Sequence, residues 1–165
     1  MLRRWRRRRL LGQGLPPEDW ALVRARVPLC ARLNPAQQAR LSGLARVLLD
    51  EKHFEGCAGL ALDDEIRLTV AAQAALPLLG HARAFYPGLS SILIYPGTFL
   101  APVRERRPDG TVAEGVQPRL GQSATHGSVV LAWDAARAGA ADPADGHNVV
   151  LHEFAHQLVA LSGAV

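Results

Sequence analysis

Apolar positions along the chain fall into two regimes, a helical one up to about residue 80 and a β-rich one from Ser91. Leu41, Leu44, Ala45, Leu48 and Leu49 recur at the 3.6-residue period and give one inward face, which runs to the charges of Asp50, Glu51 and Lys52. Asn34 and Pro35 stand ahead of them as a capping residue followed by a proline at the first helical position. Glu18 to Val27 predicts a shorter helix upstream. Asp63 and Asp64 form another cap-like pair before IRLTVAAQAALPLLG, whose Ala71, Ala72, Ala74 and Ala75 let a neighbouring element come close. This segment predicts a buried helix. Pro77 kinks or ends it, because proline lacks the amide proton and its ring clashes with the carbonyl four residues back. Beyond Ser91, ILIYP, FLAPV and TVAEG are short β-rich runs separated by Gly and Pro, and SVVLAW at 128–133 is the strongest strand. A last apolar helix is predicted from about Asn148 to Leu158. Helices, then strands, then a helix give an α+β fold with N-terminal helices and a small mixed sheet. No repeat of 20 to 50 residues is present.

Composition narrows the class. A chain of 165 residues, 48% hydrophobic and 21% charged, can close one core without disulfide or metal staples. The net charge of +4 becomes −2 once the six arginines among the first nine residues are set aside. The basic character therefore belongs to an N-terminal arm, residues 1–15, and not to a surface of the kind nucleic-acid binding requires. The plain reading of that arm is a solvated tail; contact with anionic lipid or nucleic acid is the alternative. Cys30 and Cys57 have no C-x-x-C spacing and make neither a zinc knuckle nor a disulfide framework, which points to a reducing compartment. Leu10 and Leu11 are too few for a secretory core. The weakly polar stretch from Leu68 to Gly80 contains Gln73 and Pro77 and falls short of the ~20 residues a bilayer demands. A soluble, cytoplasmic protein without a membrane span is the expectation.

The chemistry is concentrated in VVLHEFAHQL, where His152, Glu153 and His156 spell H-E-x-x-H. Positions i and i+4 of a helix lie on one face a turn apart, so both imidazoles can reach a single Zn²⁺. Glu153 is then placed to accept a proton from the attacking water and pass it to a leaving amine. Six histidines and seven glutamates in this chain would produce the pattern by chance only about 0.01 times. The flanking Val149, Val150, Leu151, Phe154, Ala155 and Leu158 make burying such a polar triplet costly unless something satisfies it. His147, five residues before His152, is off the ligand face and reads as a surface residue. His53, His81 and His126 lack partners at ligand spacing and read as structural. No phosphate-cradling glycine loop occurs.

VVLHEFAHQL, preceded by AGAADPADGHN and SVVLAW, resembles the zinc-dependent peptidases of the Mlc titration factor A family. The likeness extends to RRWRRRRLL at the start, EKHFEGCAGLALDDEIRLTVAAQAALPLLG at 51–80 and SILIYPGTF at 91–99, and so covers nearly the whole chain. What the resemblance implies is a zincin-like, gluzincin-type metallopeptidase, related in its catalytic core to the lethal-factor type. It also implies peptidase or aminopeptidase activity on peptide substrates and, in some members, binding to a sugar-responsive transcriptional repressor. By the same resemblance His152 and His156 ligate zinc and Glu153 is the general base, on the active-site helix. SVVLAW would be the edge strand beside that helix, to which an extended substrate adds by strand pairing. The family carries its third zinc ligand, a glutamate, on a later helix. Nine residues follow His156, so the resemblance makes residues 16–165 the N-terminal portion of a single zinc-peptidase domain, truncated at the C-terminus. Val159 and Ser162 stand where the family has aspartates, and Gly121, Gln122, Ser123 and Ala124 stand for its G-E-S-W-like run. These departures support a second reading, a non-catalytic family member that serves as a binding module for a transcriptional regulator.

Overall fold

The computed structural model describes residues 1–81, 85–123 and 127–161. His126, Ala124 and Ser162 lie outside the described residues. The N-terminal half is helical: α1 (Leu2–Gln13), α2 (Pro17–Arg26), the single turn α3 (Pro28–Ala31) and α4 (Pro35–Glu51). Asn34 caps α4 reciprocally, its Oδ1 accepting from the Gln37 amide while Gln37 Oε1 accepts from the Asn34 amide. A short strand β1 (His53–Gly56) follows, then α5 (Asp64–Ala75), started by Asp63 Oδ1 accepting from the Ile66 amide at 2.9 Å. The α-helix stops two residues before Pro77 and tightens into a 3-10 turn, Leu76–Gly80. Ala71, Ala72, Ala74 and Ala75 are fully buried, and α5 is the central helix, touching α2 and α4 as well as the two helices that come later.

The second half supplies β2 (Ser91–Tyr95), the hairpin β3 (Phe99–Arg106) and β4 (Val112–Arg119), β5 (Gly121–Ser123) and β6 (Ser128–Ala132). Two helices close the described chain, α6 (Trp133–Ala141) and α7 (Val149–Leu161). The main sheet has the order β1-β2-β6-β5; β1, β2 and β6 run parallel, and β5 pairs antiparallel with β6. Ile92 and Ile94 alternate inward from β2, and Val129 and Leu131 from β6. The α+β architecture and small mixed sheet are therefore present. Trp133, read as the end of a strand, instead begins α6, where the Asp134 amide donates to the Pro96 carbonyl. β1 has one inward apolar side chain, Phe54, too little alternation to be recognised in advance.

The N-terminal arm is not a solvated tail over residues 2–13. These residues form α1, which lies across α4 at Gly43, where a Cβ would stand 2.4 Å from the Leu11 carbonyl oxygen. Arg7 holds Glu51 through two hydrogen bonds of 2.9 and 2.8 Å, and Arg6 Nε donates to Asp50 at 2.8 Å. Gly14 ends the helix at φ 66°, a left-handed geometry that favours glycine. With Arg3 also 3.6 Å from Glu51, half of the arm's charge is used against the end of α4, which sequence spacing could not foretell.

Lys52, expected to mark the polar end of α4, is buried, and its Nζ donates to the Tyr86 and Leu89 carbonyls at 2.7 Å each. Burial pulls its ammonium down to about 8 from 10.5, against the upward pull of Glu51, while Arg3 and Arg7 add to the lowering. The folded protein thus holds this proton less tightly than the unfolded chain. Stability should be gained as pH rises from about 8 towards 10.5 and lost as it falls through about 8. Lys52→Met should flatten that slope, changing the pH-dependent part by on the order of 2 kcal/mol. Urea unfolding of both proteins near neutrality and near pH 10 checks it. Equal slopes would show that Lys52 does not carry the effect.

Candidate metal centre

Helix α7 starts from Asn148, whose Oδ1 accepts from the Leu151 amide at 2.9 Å. The Asn148 Nδ2 donates to Gln73 Oε1 at 2.8 Å, and the fully buried Gln73 donates in turn to the carbonyls of Thr69 and Ala136. The first turn of the helix is therefore tied to both α5 and α6. Gly139 permits the approach, since a Cβ there would stand 2.8 Å from the His147 carbonyl oxygen. Deeper in α7, Val150 and Phe154 are fully buried, and Phe154 meets Tyr86 edge-to-face with ring centroids 4.9 Å apart. Tyr86 is anchored by its hydroxyl, which donates to the Ala74 carbonyl at 2.6 Å.

This inward stripe sets the opposite one. His152 and His156 are exposed on the same side of α7, with ring centroids 4.6 Å apart and Nε2 atoms separated by 3.1 Å. Two imidazoles at Zn–N distances of ~2.05 Å and a tetrahedral angle would place their nitrogens ~3.3 Å apart. The pair fits one tetrahedral ion. Glu153 points differently: it is buried against β5, where a Cβ on Gly121 would lie 2.9 Å from its Cγ and 3.0 Å from its Oε1. The same Cβ would stand 2.4 Å from Val149 Cγ2, so Gly121 leaves the space that both α7 side chains occupy.

SVVLAW is within reach of α7, since β6 touches that helix, but it is not the edge strand. It lies between β2 and β5, and the edge beside α7 is β5. The reason is that β5 pairs antiparallel with β6 and covers the side where an added strand would pair. A groove of about 350 Å³ opens beside His152, lined by Leu120, Ala135, Ala138 and Val149 among others.

The remaining histidines stay apart. His147 is exposed ahead of α7, where its amide and Nδ1 are held by Asp145, so it lies outside the helix on which its angle was judged. His53 and His81 are exposed elsewhere. Among the described residues no group of three His, Cys, Asp or Glu side chains is gathered as a metal would need, and Cys30 is buried with its thiol pushed up to about 12. Gln73, Asn148 and Gly121 were missed as site residues by sequence reasoning. Asn148 was read only as the approximate start of the last helix; the other two act through neighbours distant in sequence.

Residues 2–165 match the family described as glucose-regulated metallo-peptidase M90. A protein of Synechocystis sp., slr2042, is 40% identical over 164 residues, covering 98% of this chain and 59% of its own length. The Mlc titration factor A proteins of Yersinia pestis and Yersinia pseudotuberculosis are 34% identical over 134 residues, covering 80% of this chain and 48% of theirs. The chain thus spans about half the length of the curated relatives it matches. No helix among the described residues is long and apolar enough to cross a membrane. With the family match covering nearly every residue, the chain belongs to the glucose-regulated metallo-peptidase M90 family.

Proposed function

We propose that the chain contributes the histidine pair and the general base of a zinc-dependent metallopeptidase. The observation that carries this reading is the 3.1 Å convergence of His152 and His156 Nε2 atoms on the open side of α7, beside the buried Glu153. When bound there, zinc would polarise the scissile carbonyl and lower the pKa of water. Glu153 accepts the proton of the attacking water on its carboxylate and returns it to the nitrogen of the leaving amine. Its burial against Gly121 limits the rotamers from which it can do so. An extended peptide lies along β5, the last strand of the sheet among the described residues, and an apolar side chain next to the scissile bond enters the groove shared by Ala138 and His152. Catalytic zinc sites use three protein ligands and keep a fourth position open. The third ligand comes from outside the described residues, a glutamate by family resemblance.

Zinc retention tests this reading directly. After dialysis against trace metal, residues 1–165 continued by the C-terminal segment of the longer Synechocystis relative should hold zinc, and residues 1–165 alone should hold it weakly. In the continued chain His152→Ala and His156→Ala should each hold much less, and the double variant none. Glu153→Gln should keep it. Wild-type stoichiometry in the double variant would overturn the assignment.

A second reading is favoured by the name of the Yersinia relatives, Mlc titration factor A. In it the chain is a non-catalytic family member that serves as a binding module for a sugar-responsive transcriptional repressor. Capture of such a repressor by the Glu153→Gln protein, equal to that by the wild type, would separate binding from catalysis.

A further inference from the structure

Docking of α1 on α4 divides its arginines into two sets. Arg3, Arg6 and Arg7 form ion pairs with Asp50 and Glu51, whereas Arg4, Arg8 and Arg9 join none among the described residues. At about 100° per residue, Leu10, Leu11 and Arg7 turn towards α4 and Trp5 comes out on the opposite side. Trp5 is 62% exposed and Leu2 84%, so the crown of this helix presents apolar surface to solvent between three guanidinium groups. The Arg9 guanidinium lies 5.7 Å from the Trp5 ring centroid. Beside the crown, Arg6, Arg9 and Arg46 surround a cavity of about 400 Å³ walled by Leu2, Trp5 and Leu10. Cationic mouth and apolar wall together match a negatively charged headgroup with the start of its acyl chain.

We propose that the outward face of α1, Leu2 and Trp5 flanked by Arg4, Arg8 and Arg9, docks in the plane of an anionic lipid surface. Interfacial helices combine this kind of apolar crown with flanking basic residues, and tryptophan settles at the headgroup level. A duplex is the weaker fit. Three uncommitted arginines are fewer than the roughly six to ten phosphate contacts of a typical DNA-binding protein, and an exposed Trp–Leu crown has no counterpart on a phosphate backbone.

Co-sedimentation with vesicles of phosphatidylcholine alone, or with about one third phosphatidylserine, tests the proposal. Partitioning should be at least ~10-fold stronger on the anionic vesicles and should weaken steeply from about 0.1 to about 1 M salt. Arg8→Gln with Arg9→Gln should reduce it roughly 25-fold, about fivefold per arginine. Trp5→Ser should lower it while preserving the preference for anionic lipid. Because these side chains are exposed, thermal unfolding of all variants should match the wild type. A charge-matched control, Arg32→Gln with Arg40→Gln, should bind as the wild type does. Equal binding to both vesicle types, an equal loss in the control, or tighter binding to a short DNA duplex at the same salt would overturn the proposal.

Discussion

Glu153→Gln is expected to lower hydrolysis of a chromogenic aminoacyl substrate by about 10²- to 10⁴-fold while leaving zinc content unchanged. Glutamine keeps the size and the hydrogen-bonding oxygen of glutamate but cannot take up the proton of the attacking water. The change is nearly isosteric in a place with no room to spare, since the Glu153 side chain already fills the space a Cβ on Gly121 would need. Steric disturbance is therefore a poor explanation for lost turnover. The assay is best run with residues 1–165 continued by the C-terminal segment of the longer Synechocystis relative, which is 40% identical to this chain. A chimera in which the glutamine variant turned over substrate at the parental rate would remove Glu153 from the chemistry.

The second large effect is on stability. Phe154→Ala should destabilise the fold by about 3–5 kcal/mol, because it empties a fully buried site in α7 and removes the edge-to-face contact with Tyr86. In a domain of this size that corresponds to a fall in Tm of roughly 10 °C. Phe154→Leu retains much of the volume and should cost less than half as much. Phe154 lies between the two histidines in sequence yet on the opposite face of the helix, so the loss should extend to the metal clamp. Zinc retention should weaken in the alanine variant even at temperatures where it remains folded. Melting curves with and without zinc measure both effects; an alanine variant within ~1 kcal/mol of wild type would mean that α7 is not anchored through this residue.

The corrections share a physical cause. SVVLAW was legible as a strand because its apolar residues are contiguous, but edge or centre depends on which segment folds back beside it. Three residues, Gly121 to Ser123, decide that, and none carries a strong β signal. The arm at residues 2–13 was legible as basic; that it is helical and docked depends on a notch at Gly43 and on acids some forty residues away. Lys52 likewise reads as polar by type, and only the return of the chain at Tyr86 and Leu89 supplies the carbonyls that let it be buried.

Local spacing, then, determined the capped helices α4 and α5, the strands β2 and β6, and a helix carrying His152 and His156 a turn apart. Each is written in residues within a few positions of one another, where periodicity and caps act directly. Tertiary structure alone decided the strand order, the place of β5 at the edge, and the split by which α7 buries Glu153 while exposing both histidines. Those outcomes hang on contacts between residues far apart in sequence, such as Gln73 with Asn148, Gly121 with Glu153 and Tyr86 with Phe154. Such contacts leave no periodic trace, because a partner's identity matters only once the chain has brought it near.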